Sequence, residues 1–148
     1  MTTDSNCVFC KIVAGTEPAS IVYDDDHILG FMNNRPAHPG ECLLIPKGHI
    51  DHFMDIDDAM ATKIMTIGQA LARKIHTIMK AERVGYVVAG YSVPHAHFII
   101  IPEHHAHDIT SEHFALNGGA DLTFTDQHIA LAPQKELDRI AEQLRITP

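Results

Sequence analysis

Three stretches of the chain hold residue types that could do chemistry. "VPHAHFIIIP", residues 93–102, places His95 and His97 two apart on a strand-like run. Side chains on a strand alternate between faces. His95, His97 and Ile99 would then share one face, and Ala96, Phe98 and Ile100 the other. The second set is small, aromatic and aliphatic, as a face packed on a helix should be, so the first set looks into a site. H-x-H on a strand is a metal or catalytic pattern in several unrelated folds; its plainer use is to cover a sheet edge. "CVFC" pairs Cys7 with Cys10. Such a pair can be a redox dithiol, two zinc ligands or two buried cysteines. The redox use wants a βαβ setting, whereas here the motif nearly opens the chain. A closed structural zinc site needs four ligands, and without a second C-x-x-C the other two must be histidine or acid. His49, in "IPKGHI", and His95 are suitable, each lying at the end of a strand-like run or just beyond it. The third stretch, "FMNNRPAHPGECLLIPKGH", enters a Pro/Gly loop and returns as an apolar strand ending in Lys47 and His49. Taken singly, its residues read as a plain hairpin with a solvated lysine.

The elements that must position these residues follow from periodicity. "CVFCKIVAG" reads as a turn and short helix closed by Gly15. "ASIVYDDD" and "HILGFMNN" are short β-rich runs parted by an acidic turn, which suits a hairpin. "CLLIP" is a third strand, and "VGYVVAG" and "HAHFIII" are the fourth and fifth. Between them lies one long helix, in which Ile64, Ile67, Leu71, Ile75 and Ile78 form an apolar stripe. Asp57 or Asp58 could cap it. Leu137, Ile140, Ala141 and Leu144 mark a second amphipathic helix in the tail. Strands grouped with few helices between them point to an α+β fold with an antiparallel sheet, as a single domain over 1–148.

Composition narrows the function. With 148 residues and 45% hydrophobic content, the chain can bury a real core. Its net charge of -8 argues against nonspecific nucleic-acid binding. "MTTDSNC" lacks the features of a signal peptide, and no apolar run approaches the roughly 20 residues of a membrane span. The three cysteines, Cys7, Cys10 and Cys42, make a disulfide framework unexpected, so the expected home is the cytoplasm. The histidines of "EHHAH" (His104, His105 and His107) read as a solvated loop cluster.

Taken together, "CVFCKIVAG", "YDDDHILGFMNNRPAHPGECLLIPKGH" and "AGYSVPHAHFIIIP" resemble the histidine triad (HIT) proteins, in a zinc-bearing, bacterial-type branch, over most of the chain. The resemblance implies an antiparallel five-stranded half-barrel sheet with one long helix, a short N-terminal helix and a C-terminal helix. It implies a two-fold homodimer, to which Met60, Met65 and Met79 beside the helix stripe would contribute. It further implies a hydrolase or nucleotidyl transferase acting at the α-phosphate of a nucleotide, such as a purine nucleoside phosphate, through a covalent nucleotidyl-histidine. The nucleophile falls on His97. Substrate contacts fall on Phe31, Asn33, Asn34, Gly90, Ser92, His97 and Ile99. One structural zinc falls on Cys7, Cys10, His49 and His95.

The chain also departs from the family pattern. Ile99 stands where a third histidine, or a glutamine in the related uridylyltransferases, donates to the phosphate. Asn33 stands where an aspartate commonly holds the ribose hydroxyls. Glu41 replaces a frequent histidine, Tyr91 a glutamine and Val84 an asparagine. A non-catalytic nucleotide-binding relative is therefore the alternative. A cupin-like metal protein fits less well: its pattern wants an acid three or four residues after H-x-H, and five residues separate His97 from Glu103.

Overall fold

The computed structural model describes residues 2–106, 108–109, 115–117, 122–124 and 127–148. Three helices, α1 (Val8–Val13), α2 (Asp58–Met79) and α3 (Gln134–Leu144), accompany β1 (Ile21–Asp24), β2 (Ile28–Met32), β3 (Cys42–Pro46), β4 (Arg83–Val88) and β5 (Phe98–Glu103). The five strands form one antiparallel sheet in the order β1-β2-β3-β5-β4. This is the α+β architecture the sequence implies. A short hairpin of β6 (Ala115–Asn117) and β7 (Leu122–Phe124), and a 3₁₀ turn over Phe53–Asp55, were not expected from it. Among the described residues no helix is long and apolar enough to cross a membrane.

Every residue of β2 and β3 is buried, so the middle of the sheet is covered on both faces. One face packs against α2 and α3 through Met32, Cys42, Leu44, Ala96, Phe98 and Ile100. Ile64, Ile67, Leu71 and Ile75 of the predicted stripe are buried there, with Ile78 half-buried beside them. Gly68 lets the helix approach closely, since a Cβ at that position would lie 2.9 Å from the Phe98 ring. Asp57 caps α2, accepting from the Met60 N–H at 2.8 Å. Met60 and Met79, expected at a dimer surface, instead pack into this core, and of the three only Met65 is exposed. The apolar sector of α2 is wider than its main stripe and, Met65 apart, is consumed within the chain.

The other face carries a second apolar cluster, with Phe9 and the two cysteines of α1 over Leu29, Phe31, Leu43 and Ile45. α1 closes as expected: Gly15, with φ +72°, follows the last helical turn. The outer edge of β1 is met by the tail after α3, where the Ile146 N–H donates to Val22 O at 2.9 Å.

The "EHHAH" histidines are less solvated than expected. His105 is exposed, but His104 is half-buried, with its ring 5.2 Å from that of His38. Buried Asp108 accepts from the His104 and His105 N–H groups at 2.6 and 2.8 Å and lies 3.0 Å from His38 Nε2. The carboxylate draws this turn onto the loop before β3. His107 lies outside the described residues.

Candidate active site and metal centre

Three separate pieces of backbone bring Cys7, Cys10, His49 and His95 together. Cys7 is the N-cap of α1 and Cys10 lies one turn on, so both thiols face the same point. His49 follows β3 and is held by the N-terminal segment: its N–H donates to Thr2 O at 2.8 Å, and Thr2 Oγ1 donates to His49 O at 2.8 Å. His95 is anchored by its neighbour, since the Ala96 N–H donates to Ile50 O at 2.7 Å.

Cys7 Sγ lies 3.4 Å from His95 Nδ1, Cys10 Sγ 3.4 Å from His49 Nδ1, and Cys10 Sγ 3.7 Å from His95 Nδ1. All four ligating atoms fall within 4.8 Å of one another. Two ligands of a tetrahedral metal bound through sulfur and nitrogen stand about 3.6 Å apart, from the usual bond lengths. The spacing therefore fits one such ion.

The hydrogen bonds fix the ring states. His95 Nε2 lies 2.9 Å from Pro46 O, and a carbonyl can only accept. Nε2 therefore carries the proton and leaves the Nδ1 lone pair toward the two sulfurs, as a metal ligand requires. Burial, reinforced by the nearby His49 and His97, lowers the His95 pKa and keeps its ring neutral. Burial also raises the Cys10 thiol. Thiolates here call for a compensating cation, and two sulfurs with two imidazole nitrogens form a donor set that suits zinc.

His97 is 2% exposed, and its Nδ1 lies 2.7 Å from His95 O. By the same argument Nδ1 donates, so in its neutral form the ring has its lone pair on Nε2. Among the described residues Nε2 has no hydrogen-bond partner. The Phe9 ring stands edge-on to His95 at 5.8 Å, to His97 at 5.5 Å and to Phe31 at 5.4 Å. It joins the cysteine helix to both histidines. Phe9 was not singled out from the sequence, and the C-x-x-C spacing does not separate it from Val8, which is exposed.

The strand at 95–101 needs correction: β5 begins at Phe98. His95 and His97 lie on its approach, because β4 ends opposite Phe98 at Val88 and Ala96 bonds to Ile50 instead of a ladder partner. The alternation still holds in the packing. Ala96, Phe98 and Ile100 enter the helix-side core, while half-buried Ile99 joins the opposite cluster. Ile99 pairs across the sheet with Leu43 and Val87, both apolar.

The other expected contacts differ in burial and bonding. Phe31 is buried in the same cluster as Phe9. Asn33 is half-buried and bonded to Glu41, with Nδ2 to Oε1 at 2.5 Å. Asn34 is exposed, its carbonyl accepting from the Ala132 N–H. Gly90 and Ser92 are exposed in the turn between β4 and His95. Asn34 and Ser92 make no side-chain hydrogen bond among the described residues.

Comparison with known proteins follows the same outline. The family model described as HIT domain matches residues 14–106. Protein hit of Bacillus subtilis is 36% identical over 106 residues, covering 67% of this chain and 72% of that protein. Adenosine 5'-monophosphoramidase HNT1 of Saccharomyces cerevisiae is 33% identical over 104 residues, covering 69% of this chain and 65% of that protein. The crystal structure of a Hit-like protein from Bartonella henselae superposes with a TM-score of 0.75 at 25% identity, over 98% of each chain. A Zn-bound histidine triad family protein from Mycobacterium smegmatis has the same fold, with a TM-score of 0.69 at 24% identity over 94% of this chain and 90% of that one.

Proposed function

Because the chain belongs to the HIT domain family, we propose that it hydrolyses or transfers nucleotidyl groups, with His97 as the nucleophile. The observation that carries this reading is the 2.7 Å contact from His97 Nδ1 to His95 O. It fixes the tautomer that leaves a lone pair on Nε2 of a buried ring, the atom from which an imidazole acts as a nucleophile. The similarity to a monophosphoramidase supports the same chemistry. Nε2 attacks the α-phosphorus of a nucleoside phosphoramidate, a dinucleoside polyphosphate or a similar nucleotide. A P–N bond forms as the bond to the leaving group breaks, and water then hydrolyses the nucleotidyl-histidine. As the imidazole becomes cationic, its Nδ1–H stays bonded to His95 O, which stabilises the developing charge.

Phe31, Asn33, Asn34, Gly90, Ser92 and Ile99 are the substrate contacts of this reading, with a purine nucleoside phosphate as the ligand. Cys7, Cys10, His49 and His95 hold one zinc per chain. With four protein ligands the ion has no open position, so when bound it supplies structure rather than Lewis acidity. It fixes His95, whose carbonyl orients His97. The reading also includes one cytoplasmic domain over 1–148 and a homodimer. Support for the dimer lies on β4, an edge of the sheet, where Tyr86 and Val88 are exposed as Met65 of α2 is.

A second reading, nucleotide binding without turnover, is favoured by one observation. Ile99 packs among apolar neighbours where a phosphate donor would serve catalysis.

His97→Ala is expected to lower phosphoramidate turnover by about a thousandfold or more while leaving nucleotide affinity and melting temperature close to those of the parent. Near-normal turnover of the variant would sink the mechanism. Ile99→His supplies a charge-assisted donor, and turnover should rise by about tenfold, only while His97 is present. A less stable variant with unchanged turnover decides for the second reading.

Elemental analysis of protein purified without chelator should find about one zinc per chain, and Cys7→Ser should lose it along with several kcal/mol of stability, because binding and local folding are coupled. Metal-free wild-type protein would refute the assignment. Light scattering at micromolar concentration should report twice the 16.4 kDa chain mass; the mass of one chain would rule out the dimer.

A further inference from the structure

Zinc ligation is one of two states open to the cysteine pair of α1. The helical backbone of Val8 and Phe9 sets the Cα atoms of Cys7 and Cys10 about 5 Å apart, inside the span a disulfide bridges. Cys7 is the N-cap, and its extended backbone (ψ 122°) turns the side chain over the first turn toward Cys10. The two sulfurs lie within 4.8 Å of each other, so side-chain rotation can bring them to bonding distance while the helix keeps its backbone.

The third cysteine is out of reach. Cys42 is fully buried in the helix-side cluster, whereas Cys7 and Cys10 belong to the cluster on the opposite face of the sheet. A disulfide within the folded chain therefore joins Cys7 to Cys10. The four donors are also unequally shielded. Cys7, Cys10 and His95 are buried, but His49 is half-buried. Its Nδ1 stands 3.4 Å from Cys10 Sγ, while Cys7 Sγ stands against fully buried His95. The cluster thus meets solvent on the Cys10 side, where a small oxidant can enter. Zinc, when bound, holds both sulfurs as thiolates, the form that reacts with peroxides.

Resting on the zinc assignment and not on the catalytic one, we infer that Cys7 and Cys10 form a peroxide-responsive redox site that gives up its metal on oxidation. The Cys10 thiolate attacks one peroxide oxygen. An S–O bond forms as the O–O bond breaks, and the hydroxide released takes up a proton. The Cys7 thiolate then attacks the Cys10 sulfur, forming the S–S bond and expelling a second hydroxide, which is also protonated. Two thiolates, one hydrogen peroxide and two protons become a disulfide and two waters, the sulfurs losing the two electrons that the peroxide gains. Ligation needs thiolates, so the donor set falls from four to the imidazoles of His49 and His95, too few for a closed site. α1, six residues long and without a side-chain cap, loses its polar tie to those histidines. Reduction by a dithiol reverses the change.

The test uses wild-type protein loaded with zinc and treated with hydrogen peroxide. A chromogenic chelator should register about one zinc released per chain as the alkylatable thiols, counted by mass after unfolding, fall from three to one. Peptide mapping should find Cys7 joined to Cys10, with Cys42 reduced. Amide exchange over α1 should quicken by about tenfold or more. Dithiothreitol with zinc should restore the starting mass, metal content and exchange. Dimedone present during oxidation should mark Cys10. Zinc retained after the disulfide forms, zinc lost with both thiols still reduced, a dimedone mark on Cys7 instead, or thiols that survive peroxide sufficient to oxidise free dithiothreitol would overturn the assignment. Wild-type protein that takes up no zinc would instead overturn the zinc reading, and this assignment with it.

Discussion

His95 ties three parts of the molecule together. Its Nδ1 faces the cysteines of α1, its Nε2 donates to the carbonyl of Pro46 at the end of β3, and its own carbonyl accepts from His97. A buried imidazole with both nitrogens committed cannot rotate without abandoning a partner, and an unpaired buried polar group costs about 1–3 kcal/mol. The orientation of His97 therefore depends on a residue that takes no part in the proposed bond making.

That arrangement requires a sheet buried on both faces. α2 covers one, with Phe98 beneath Gly68. The other would be open at its centre without α1, whose Phe9 and cysteines complete a small apolar cluster over β2 and β3. α1 has only six residues and no side-chain cap, too short to be stable alone. Its order comes from packing and from the cysteine–histidine cluster, so a metal bound there would reinforce the second apolar face.

The Pro/Gly loop shows how polar groups are handled beside these apolar layers. Glu41 is buried with donors from Asn33 and Ala37, and Asp108 is buried with donors from the backbone of His104 and His105. Each carboxylate closes a turn by gathering N–H groups that would otherwise be left without partners. Removing either partner of such a bond leaves a buried polar group without its complement, which costs about 1–3 kcal/mol.

The sequence by itself determined what depends on neighbours within a few positions. The α2 stripe and its Asp57 cap, the three-residue step between the cysteines, the Gly15 turn and the β1–β2 hairpin all follow from local backbone geometry. The family was legible for a related reason: its motifs are short segments at set spacings. Only the tertiary structure decided contacts whose partners lie far apart in the chain. The Pro46 carbonyl that sets the His95 tautomer is 49 residues away from it. The start of β5 at Phe98 reflects where β4 ends, not a change in residue type. Met60 and Met79 turn inward because the sheet and tail leave room for them. The bond between Asn33 and Glu41 depends on the path of the loop between them. Local periodicity constrains which face a side chain takes, but a hydrogen bond needs its partner within about 3 Å, and that distance is set by the register and packing of the whole chain.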